Sequence, residues 1–324
     1  MFDAFSWIIF ISLVGGLLAL DLLVFHRHAR AVSMREASAW VTVWVFLGLA
    51  FGAFIFATRG PTTGAEYLAG YLIEYSLSMD NVFVFAVLFG YFAVPPAYQH
   101  RLLFWGVLGA IVFRAIFIVG GTVLLDAFHP VIYIFGALLL YTAWRMARAG
   151  TGEVDPSANP VLRLVRRFIP VTEGYEGQSF FVRRHGKLWA TPLFAALVVI
   201  ESSDIMFAID SVPAILSITD DPFIVFTSNA FAIMGLRSLY FLLAGLIDRF
   251  EYLKYGLAAL LAFAGLKMLT SDLIHLDVWI SLTIIVAILS GSIAISWFAT
   301  RGRGPDADEP DLIRAESEPP QPST

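Results

Sequence analysis

Long apolar runs recur along this chain, and each is long enough to cross a lipid bilayer. Nine are predicted, at 5–25, 40–58, 65–90, 101–125, 130–148, 190–217, 222–247, 253–270 and 277–299. A transmembrane helix needs about 20 apolar residues. A transmembrane β-barrel would instead show short segments of alternating polarity, and none is visible. The sequence therefore predicts an all-α membrane protein surrounded by lipid.

The composition agrees with that fold class and excludes several functions. Of the 324 residues, 58% are hydrophobic and 15% are charged, whereas a soluble domain carries about a quarter charged residues. Cysteine is absent, so disulfides and thiolate metal sites are excluded. No phosphate-binding loop, dinucleotide-binding turn or catalytic triad is recognisable. We therefore expect neither an enzyme, nor a bound cofactor, nor a nucleic-acid partner.

The basic residues are concentrated on one side of the predicted membrane. If the nine spans alternate in direction, 17 of the 21 Lys and Arg residues fall on the side that holds the C-terminus. The opposite side receives only Arg59. Positive charge marks the cytoplasmic side, so we expect the N-terminus outside and the C-terminus in the cytoplasm, with the chain in the inner (plasma) membrane.

Four parts are expected along the chain: a first membrane half at 1–148, a cytoplasmic loop at 149–189, a second membrane half at 190–300 and a tail at 301–324. The loop opens with apolar and basic side chains on opposite helical faces, which predicts a short helix lying on anionic lipid. The later part of the loop is predicted to form a small hairpin that turns at 185–186. The tail is rich in proline and acidic residues and is predicted to be disordered.

The two membrane halves resemble each other from about residue 65 onwards in the first. Asp80 and the stretch that follows it align almost without gaps with Asp204 and its own following stretch, and Arg114 then corresponds to Arg237. Asp80 lies in the third span and Asp204 in the sixth, so the two run in opposite directions. Inverted repeats are typical of secondary transporters, whose site lies near the midplane between the repeats.

Acidic side chains occur in the middle of the third span. Glu74, Ser78 and Asn81 are spaced so that they share one helical face, and Asp80 lies beside it. At about 1.5 Å per residue, Glu74 falls near the middle of a hydrocarbon core about 30 Å thick. A charge at that depth costs at least about 2.5 kcal/mol, so these residues are predicted to be functional.

The sixth span carries three more acidic residues. Glu201 lies near the midplane and can share a face with Asp204, one turn further along, whereas Asp210 lies about two turns beyond. Pro213 is expected to kink or break the helix near Asp210, because proline removes a helical hydrogen bond.

The five acidic residues of these two spans are only partly balanced by Arg114 and Arg237. Their net charge is −3 if all ionise, so either some carboxyl groups are protonated or a cation binds. Both states are useful to a transporter that exchanges metal for protons. We expect Arg114 and Arg237 to act as ion-pair partners rather than as direct ligands.

The available ligand atoms restrict the cation. Carboxylate, hydroxyl, amide and carbonyl oxygens suit Mg, Ca and Mn, and all six His residues lie in loops or at span ends, which argues against Zn, Cu and Ni. Met79 and Met206 flank the acidic motifs, and a thioether there would favour Mn. Packing is the simpler interpretation of both methionines.

Several motifs resemble those of the TerC family of integral membrane proteins, in its Alx-like branch. They are DLLVFHR at 21–27, EYSLSMDNVF at 74–83, YFAVPP at 91–96, IFGALL at 134–139, FFVR at 180–183, ESSDIMFAIDSVPAI at 201–215 and DPFIVFTSNAFAIMGLRSLYF at 221–241. The family is linked to tellurium resistance by its name and to manganese export by its better understood members. Met79 and Met206 stand where we expect aliphatic residues in other members, which weakens an argument for selectivity from sulfur.

The resemblance implies a set of metal-pathway residues with oxygen-bearing side chains: Glu74, Asp80, Asn81, Glu201, Asp204, Asp210 and Asn229. Asp21, Ser78 and Ser211 are further candidates. Structural alternatives exist for two of these positions. Asp21 can mark a helix end at the interface, and Asn229 can join helices by hydrogen bonding.

We therefore expect a secondary transporter that exports a divalent metal, with Mn²⁺ as its substrate and proton exchange through the carboxylates as its energy source. One alternative is a membrane scaffold or assembly factor of the tellurium-resistance type, which would act through the loop and the tail. Another is an exporter of a different ion. The sequence leaves the direction of transport and the formation of a homo-oligomer open.

Overall fold

The computed structural model describes residues 4–25, 34–128, 130–148, 160–184, 186–243, 253–274 and 276–300. Within these ranges the protein is almost entirely helical. The elements are α1 (Ala4–Phe25), α2 (Met34–Arg59), α3 (Pro61–Tyr91), α4 (Pro96–Ala127), α5 (Val131–Arg148), α6 (Pro160–Phe168), β1 (Phe181–Arg184), β2 (Lys187–Ala190), α7 (Pro192–Leu216), α8 (Pro222–Met234), α9 (Leu236–Leu243), α10 (Leu253–Leu269) and α11 (Val278–Thr300).

Six helical segments in the described ranges are long and apolar enough to cross a membrane. They are α2, α3, α4, α7, α11 and the pair α8–α9. This confirms the prediction of an all-α integral membrane protein. Helices α1, α5 and α10 lie at the positions of the remaining predicted spans.

Proline sets the start of four of the helices in the bundle, and α6 also begins with one, Pro160. Pro61, Pro96, Pro192 and Pro222 occupy the first turns of α3, α4, α7 and α8, where a missing N–H has no helical acceptor to lose. The side chain of Asp221 also accepts backbone N–H groups at the start of α8, which satisfies donors that the helix leaves free.

Helix α3 lies at the centre of the bundle, against α2, α7, α8 and α11, while α4 packs on α7 and α5 packs on α10. At the α5–α10 crossing the two backbones approach each other directly. A Cβ atom on Gly136 would lie 2.9 Å from the carbonyl oxygen of Gly265, and one on Gly265 would lie 2.8 Å from the carbonyl oxygen of Gly136. Small residues at a helix crossing allow this direct backbone contact.

In the second membrane half, the helical path is interrupted at Gly235 and not near Pro213, where a break was expected. Helix α7 passes through Pro213 and ends at Leu216, so the break expected near Asp210 is absent, and the alternative of a kink there stays a prediction. Pro213 is close enough to the helix end that only one late hydrogen bond is lost. The predicted span at 222–247 is instead divided at Gly235, between α8 and α9.

The segment between the membrane halves contains α6 and an antiparallel pair formed by β1 and β2. Gly186, in the turn, has a φ of +76°, a conformation that glycine adopts without strain. The hydroxyl of Tyr175 donates to the carbonyl oxygen of Phe92 at 2.6 Å, and the guanidinium of Arg101 lies 5.2 Å from the ring centre of Phe180. These contacts hold the segment against the turn between α3 and α4. The tail at 301–324 lies outside the described residues.

Candidate functional site

A buried polar network joins four helices in the interior of the bundle. It comprises seven side chains from α3, α4, α7 and α8: Glu74, Ser78, Asn81, Arg114, Asp204, Ser211 and Asn229. None is more than 3% exposed. The sequence predicted all seven as pathway residues, ion-pair partners or further candidates. The structure brings these residues together although some are up to 155 positions apart.

Glu74 is the most heavily contacted carboxylate of the network. Its Oε1 accepts a hydrogen bond from Ser78 Oγ at 3.0 Å and a close ion-pair contact from Arg114 Nη1. Its Oε2 accepts a hydrogen bond from Asn229 Nδ2 at 3.0 Å. Glu74 is completely buried, and these donors from three helices stabilise a charge that would otherwise be costly in the membrane.

Arg114 connects Glu74 on α3 to the residues of α7. Its Nη1 also donates to Ser211 Oγ at 2.8 Å, and its Nη2 donates to Asp204 Oδ1 at 3.3 Å. The same Oδ1 accepts from Asn81 Nδ2 at 3.4 Å. Two carboxylates therefore share one guanidinium, and the ionised cluster has one net negative charge.

Several oxygen atoms of the site are buried and have no hydrogen-bond donor among the described residues. They are Asn81 Oδ1, Glu201 Oε2, Asp204 Oδ2 and Asn229 Oδ1. Buried acceptors without a partner are uncommon because no hydrogen bond offsets the free energy lost when water is removed from them. Carboxylate and amide oxygens of this kind can act as ligands for a hard cation.

Asp210 lies outside the network but lines a cavity that Asn81, Arg114 and Ser211 of the network also line. Its Oδ1 accepts from Thr142 Oγ1 of α5 at 2.9 Å. The cavity is lined by polar and apolar side chains that include Asn81, Arg114, Met146, Phe207, Asp210 and Ser211. The cavity is therefore lined both by this carboxylate of α7 and by the guanidinium of the network.

Glu201 lies on α7 on the other side of Asp204, facing α4. Its carboxylate fills the space in front of Gly109, where a Cβ atom would collide with it. Among the described residues it has no hydrogen-bond partner, whereas Asp204 does. The three acidic residues of α7 thus occupy three different environments along one helix.

The remaining predicted residues are not placed in the network. Arg237 is buried in α9, and its role as an ion-pair partner stays a prediction. The side chains of Asp21 and Asp80 lie outside what the structure describes, although both belong to helices. Met206 is 60% exposed, and Met79 packs against the hydrophobic core.

The described residues contain no group of three or more His, Asp or Glu side chains arranged to hold a metal ion. Glu74 and Asp204 are instead bridged by Arg114. A cation at this site would therefore depend on amide and hydroxyl oxygens in addition to the two carboxylates.

Sequence reasoning missed Thr142, which holds Asp210, and Gly109, which makes room for Glu201. Neither stands out locally, because a lone threonine or glycine in an apolar span usually serves packing. Met146 also lines the cavity, and the repeat offered one signal for it, because the pair Arg145-Met146 in the first half matches Lys267-Met268 in the second.

The helices and the buried charged network define a multi-pass integral membrane protein with an ionic site inside the bundle. The chain matches the family described as "Integral membrane protein TerC family" over residues 59–304, and it belongs to that family. The resemblance inferred from the motifs is thus confirmed.

Relatives match almost the whole chain. The "Uncharacterized membrane protein STKORF319" of Myxococcus xanthus is 47% identical over 307 residues, which cover 94% of this chain and 96% of that protein. The "Putative membrane-bound redox modulator Alx" of Escherichia coli K12 is 47% identical over 292 residues, which cover 87% and 91%. An "Uncharacterized membrane protein" of Rickettsia bellii is 40% identical over 284 residues, which cover 88% and 94%. No solved structure matches this protein.

Proposed function

We propose that this protein is a secondary transporter that exports a divalent metal ion, Mn²⁺, from the cytoplasm in exchange for protons. In this proposal the chain crosses the inner membrane nine times, with its N-terminus outside and its C-terminus in the cytoplasm. Glu74 and Asp204 provide the charge that binds the substrate.

The main support for this function is the set of oxygen atoms around the two buried carboxylates. Asn81 and Asn229 each donate from the amide nitrogen to a carboxylate and leave the amide oxygen without a donor among the described residues. Asp204 likewise leaves Oδ2 without one. Oxygen donors of mixed type suit Mn²⁺, Mg²⁺ and Ca²⁺, and family likeness favours Mn²⁺ among these.

Helix packing supports the inverted repeat. If α3 and α4 correspond to α7 and α8, a two-fold axis in the membrane plane exchanges the pair α3–α8 with the pair α7–α4, and both pairs pack closely. The same axis relates α5 to α10, which pack directly on each other. Glu74 on α3 and Asp204 on α7 then come from corresponding helices, as in transporters whose site lies between repeats.

Proton exchange follows from the charge of the site. Moving a cation out of a cell with a negative interior requires energy, amounting to about 2.3 kcal/mol per charge per 100 mV. Carboxylates that bind the metal when ionised and protons when the metal has left couple the two movements. Transport driven by proton exchange needs no ATP-binding element, and no phosphate-binding loop is recognisable in the sequence.

Reconstituted full-length protein tests this function directly. Proteoliposomes with an imposed pH gradient should accumulate Mn²⁺ and move protons in the opposite direction. Asp204→Asn should abolish both fluxes, whereas Asp126→Asn, the same change at an exposed position of α4, should preserve them. Mn²⁺ movement without proton movement would refute the exchange, and no Mn²⁺ movement by the wild type would refute the transporter.

The scaffold alternative makes a different prediction in cells. Deleting the tail after Arg301 should leave Mn²⁺ tolerance unchanged if transport is the function, while Asp204→Asn should abolish tolerance at normal expression. The opposite pattern would favour a scaffold. The name of the Escherichia coli relative describes a redox modulator, but the absence of cysteine excludes a redox role based on thiols of this chain.

A further inference from the structure

The guanidinium of Arg114 lies where it contacts both carboxylates of the candidate site. It reaches Glu74 and Asp204 from the same end of the side chain, through Nη1 and Nη2. The side chain is 1% exposed, so water contributes little to its stabilisation, and the carboxylates provide its counter-charge. Its contacts are those that a bound metal ion would make with the same oxygen atoms.

A divalent cation and this guanidinium compete for the same charge. Glu74 Oε1 and Asp204 Oδ1 are already used by Arg114, and two positive groups a few ångströms apart in a low-dielectric interior repel each other strongly. Asp204 Oδ2 is open to a metal, but a metal that also binds Glu74 through Oε1 must displace the guanidinium from that oxygen.

The structure also provides another place for the guanidinium. Arg114 and Asp210 line the same cavity, and Ser211, the residue after Asp210, already accepts a hydrogen bond from Arg114 Nη1 at 2.8 Å. Asp210 is half-buried, accepts from the neutral donor Thr142 and has Arg145 of α5 as its nearby positive charge. A rotation of the Arg114 side chain into the cavity would exchange a buried carboxylate for this half-buried one.

We infer that Arg114 is a tethered substitute for the transported cation, which occupies Glu74 and Asp204 when the metal has left and moves to Asp210 when the metal binds. The inference rests on the proposed transport function and assigns a residue to its return step. In the cycle, the carboxylate pair is always compensated, either by the metal or, once the metal has left, by the guanidinium together with one exchanged proton. A carrier with uncompensated carboxylates would have to change conformation with buried, unpaired charge, which is costly.

A substitution that weakens the contacts of Arg114 with the two carboxylates should strengthen the binding of Mn²⁺. Arg114→Lys keeps the positive charge but replaces a two-pronged donor by a single ammonium group. The affinity of the purified full-length protein for Mn²⁺ alone, measured from the loss of the free-ion EPR signal, should therefore rise about tenfold in this variant. A residue that served only to build the site would give equal or weaker binding after this change.

Asp210→Asn should have the opposite effect, because the displaced guanidinium loses its second carboxylate. We expect Mn²⁺ affinity to fall about tenfold when Arg114 is present and to change little in the double variant with Arg114→Lys, where the competitor is already weak. The amide can still accept the hydrogen bond of Thr142, so the fold should be retained. Asp126→Asn on α4 is the control for the charge change.

Flux measurements separate this inference from the transport function itself. Proteoliposomes with Arg114→Lys should retain Mn²⁺/Mn²⁺ exchange but lose net transport, because only net transport requires the return of the metal-free carrier. If the wild type transports no Mn²⁺, the proposed function fails. If it transports Mn²⁺ but Asp210→Asn weakens binding equally with Arg114 and with Arg114→Lys, Asp210 contacts the metal directly and the inference about Arg114 is overturned.

Discussion

Asn229 of α8 donates from Nδ2 to Oε2 of Glu74 on α3 at 3.0 Å, and both side chains are buried. This hydrogen bond fixes the carboxylate from the side opposite to Arg114. It also leaves the amide oxygen of Asn229 beside the site without a donor from the described residues. The relationship explains why an asparagine, rather than another small polar residue, serves at this position.

Replacing Asn229 by alanine should therefore affect stability and transport together. Loss of a hydrogen bond to a buried charged group costs about 1.5–3 kcal/mol, which thermal unfolding of the detergent-solubilised protein should detect. The KM for Mn²⁺ should rise as well. Thr227→Val is the matched control, because the hydroxyl of Thr227 donates to the carbonyl of Ile224 in its own helix. Equal effects of both changes on KM would contradict a ligand role for Asn229.

Glu74→Gln should remove transport while preserving the fold. Glutamine keeps the shape, and its single amide oxygen can still accept from either Ser78 or Asn229, but it cancels one of the two negative charges that attract the metal. We expect Mn²⁺ uptake by proteoliposomes to fall at least about a hundredfold, which corresponds to roughly 2.7 kcal/mol.

Glu66→Gln provides the comparison for Glu74→Gln on the same helix. Glu66 accepts from Thr219 at 3.1 Å, near the beginning of α3 and away from the network. Its substitution should leave more than about half of the uptake, because it carries no contact to the buried site. A similar loss in both variants would indicate a general effect of charge on α3.

Gly109 gives a test of Glu201 that does not change any charged residue. A valine side chain at 109 must displace the Glu201 carboxylate that lies against this glycine, so transport should fall if Glu201 belongs to the pathway. Gly120→Val is the control on the same helix, since a Cβ there meets nothing within 4 Å. The expected result is a loss of uptake for Gly109→Val alone. If both variants transport Mn²⁺ normally, Glu201 is not on the metal path.

The contact between Tyr175 and the α3–α4 turn should respond to alkaline pH. Burial raises the pKa of Tyr175 above its ordinary value of about 10, so the folded contact holds the proton more tightly than the unfolded segment does. Its contribution to stability is complete below the ordinary pKa and is lost as the pH rises through the raised pKa.

Limited proteolysis measures that contribution. Cleavage in the segment between the membrane halves should accelerate as the pH rises above about 10 in the wild type. Tyr175→Phe should be cleaved faster than the wild type at neutral pH, because the hydrogen bond to Phe92 is missing, and should show a smaller change with pH. An identical pH response in the two proteins would exclude Tyr175 as its source.

Helical periodicity predicted much of the site on α3. Glu74, Ser78 and Asn81 share a face because their spacing matches the helical repeat, and all three are in the network. The same reasoning placed Glu201 and Asp204 on one face of α7, yet they meet different surroundings. Spacing along a helix does not say which neighbouring helix each side chain will contact, and that depends on packing at positions such as Gly109.

The position of Arg114 was predictable only in part. The repeat indicated that it is an ion-pair partner, but its simultaneous contact with Glu74 and Asp204 depends on how α4 packs against α3 and α7. The break at Gly235 also escaped prediction, whereas Pro213 suggested a break that is absent. Proline has a known local effect, but a glycine interrupts a helix only where tertiary contacts favour it.

The glycine crossing of α5 and α10 has a mechanical consequence. The backbones of α5 and α10 touch through Gly136 and Gly265, with no side chain between them that could rearrange. The crossing is therefore a fixed point of contact. A rocking motion of one membrane half against the other would turn about this point. The largest displacement would then fall at the interfaces furthest from it, and the smallest at the crossing itself.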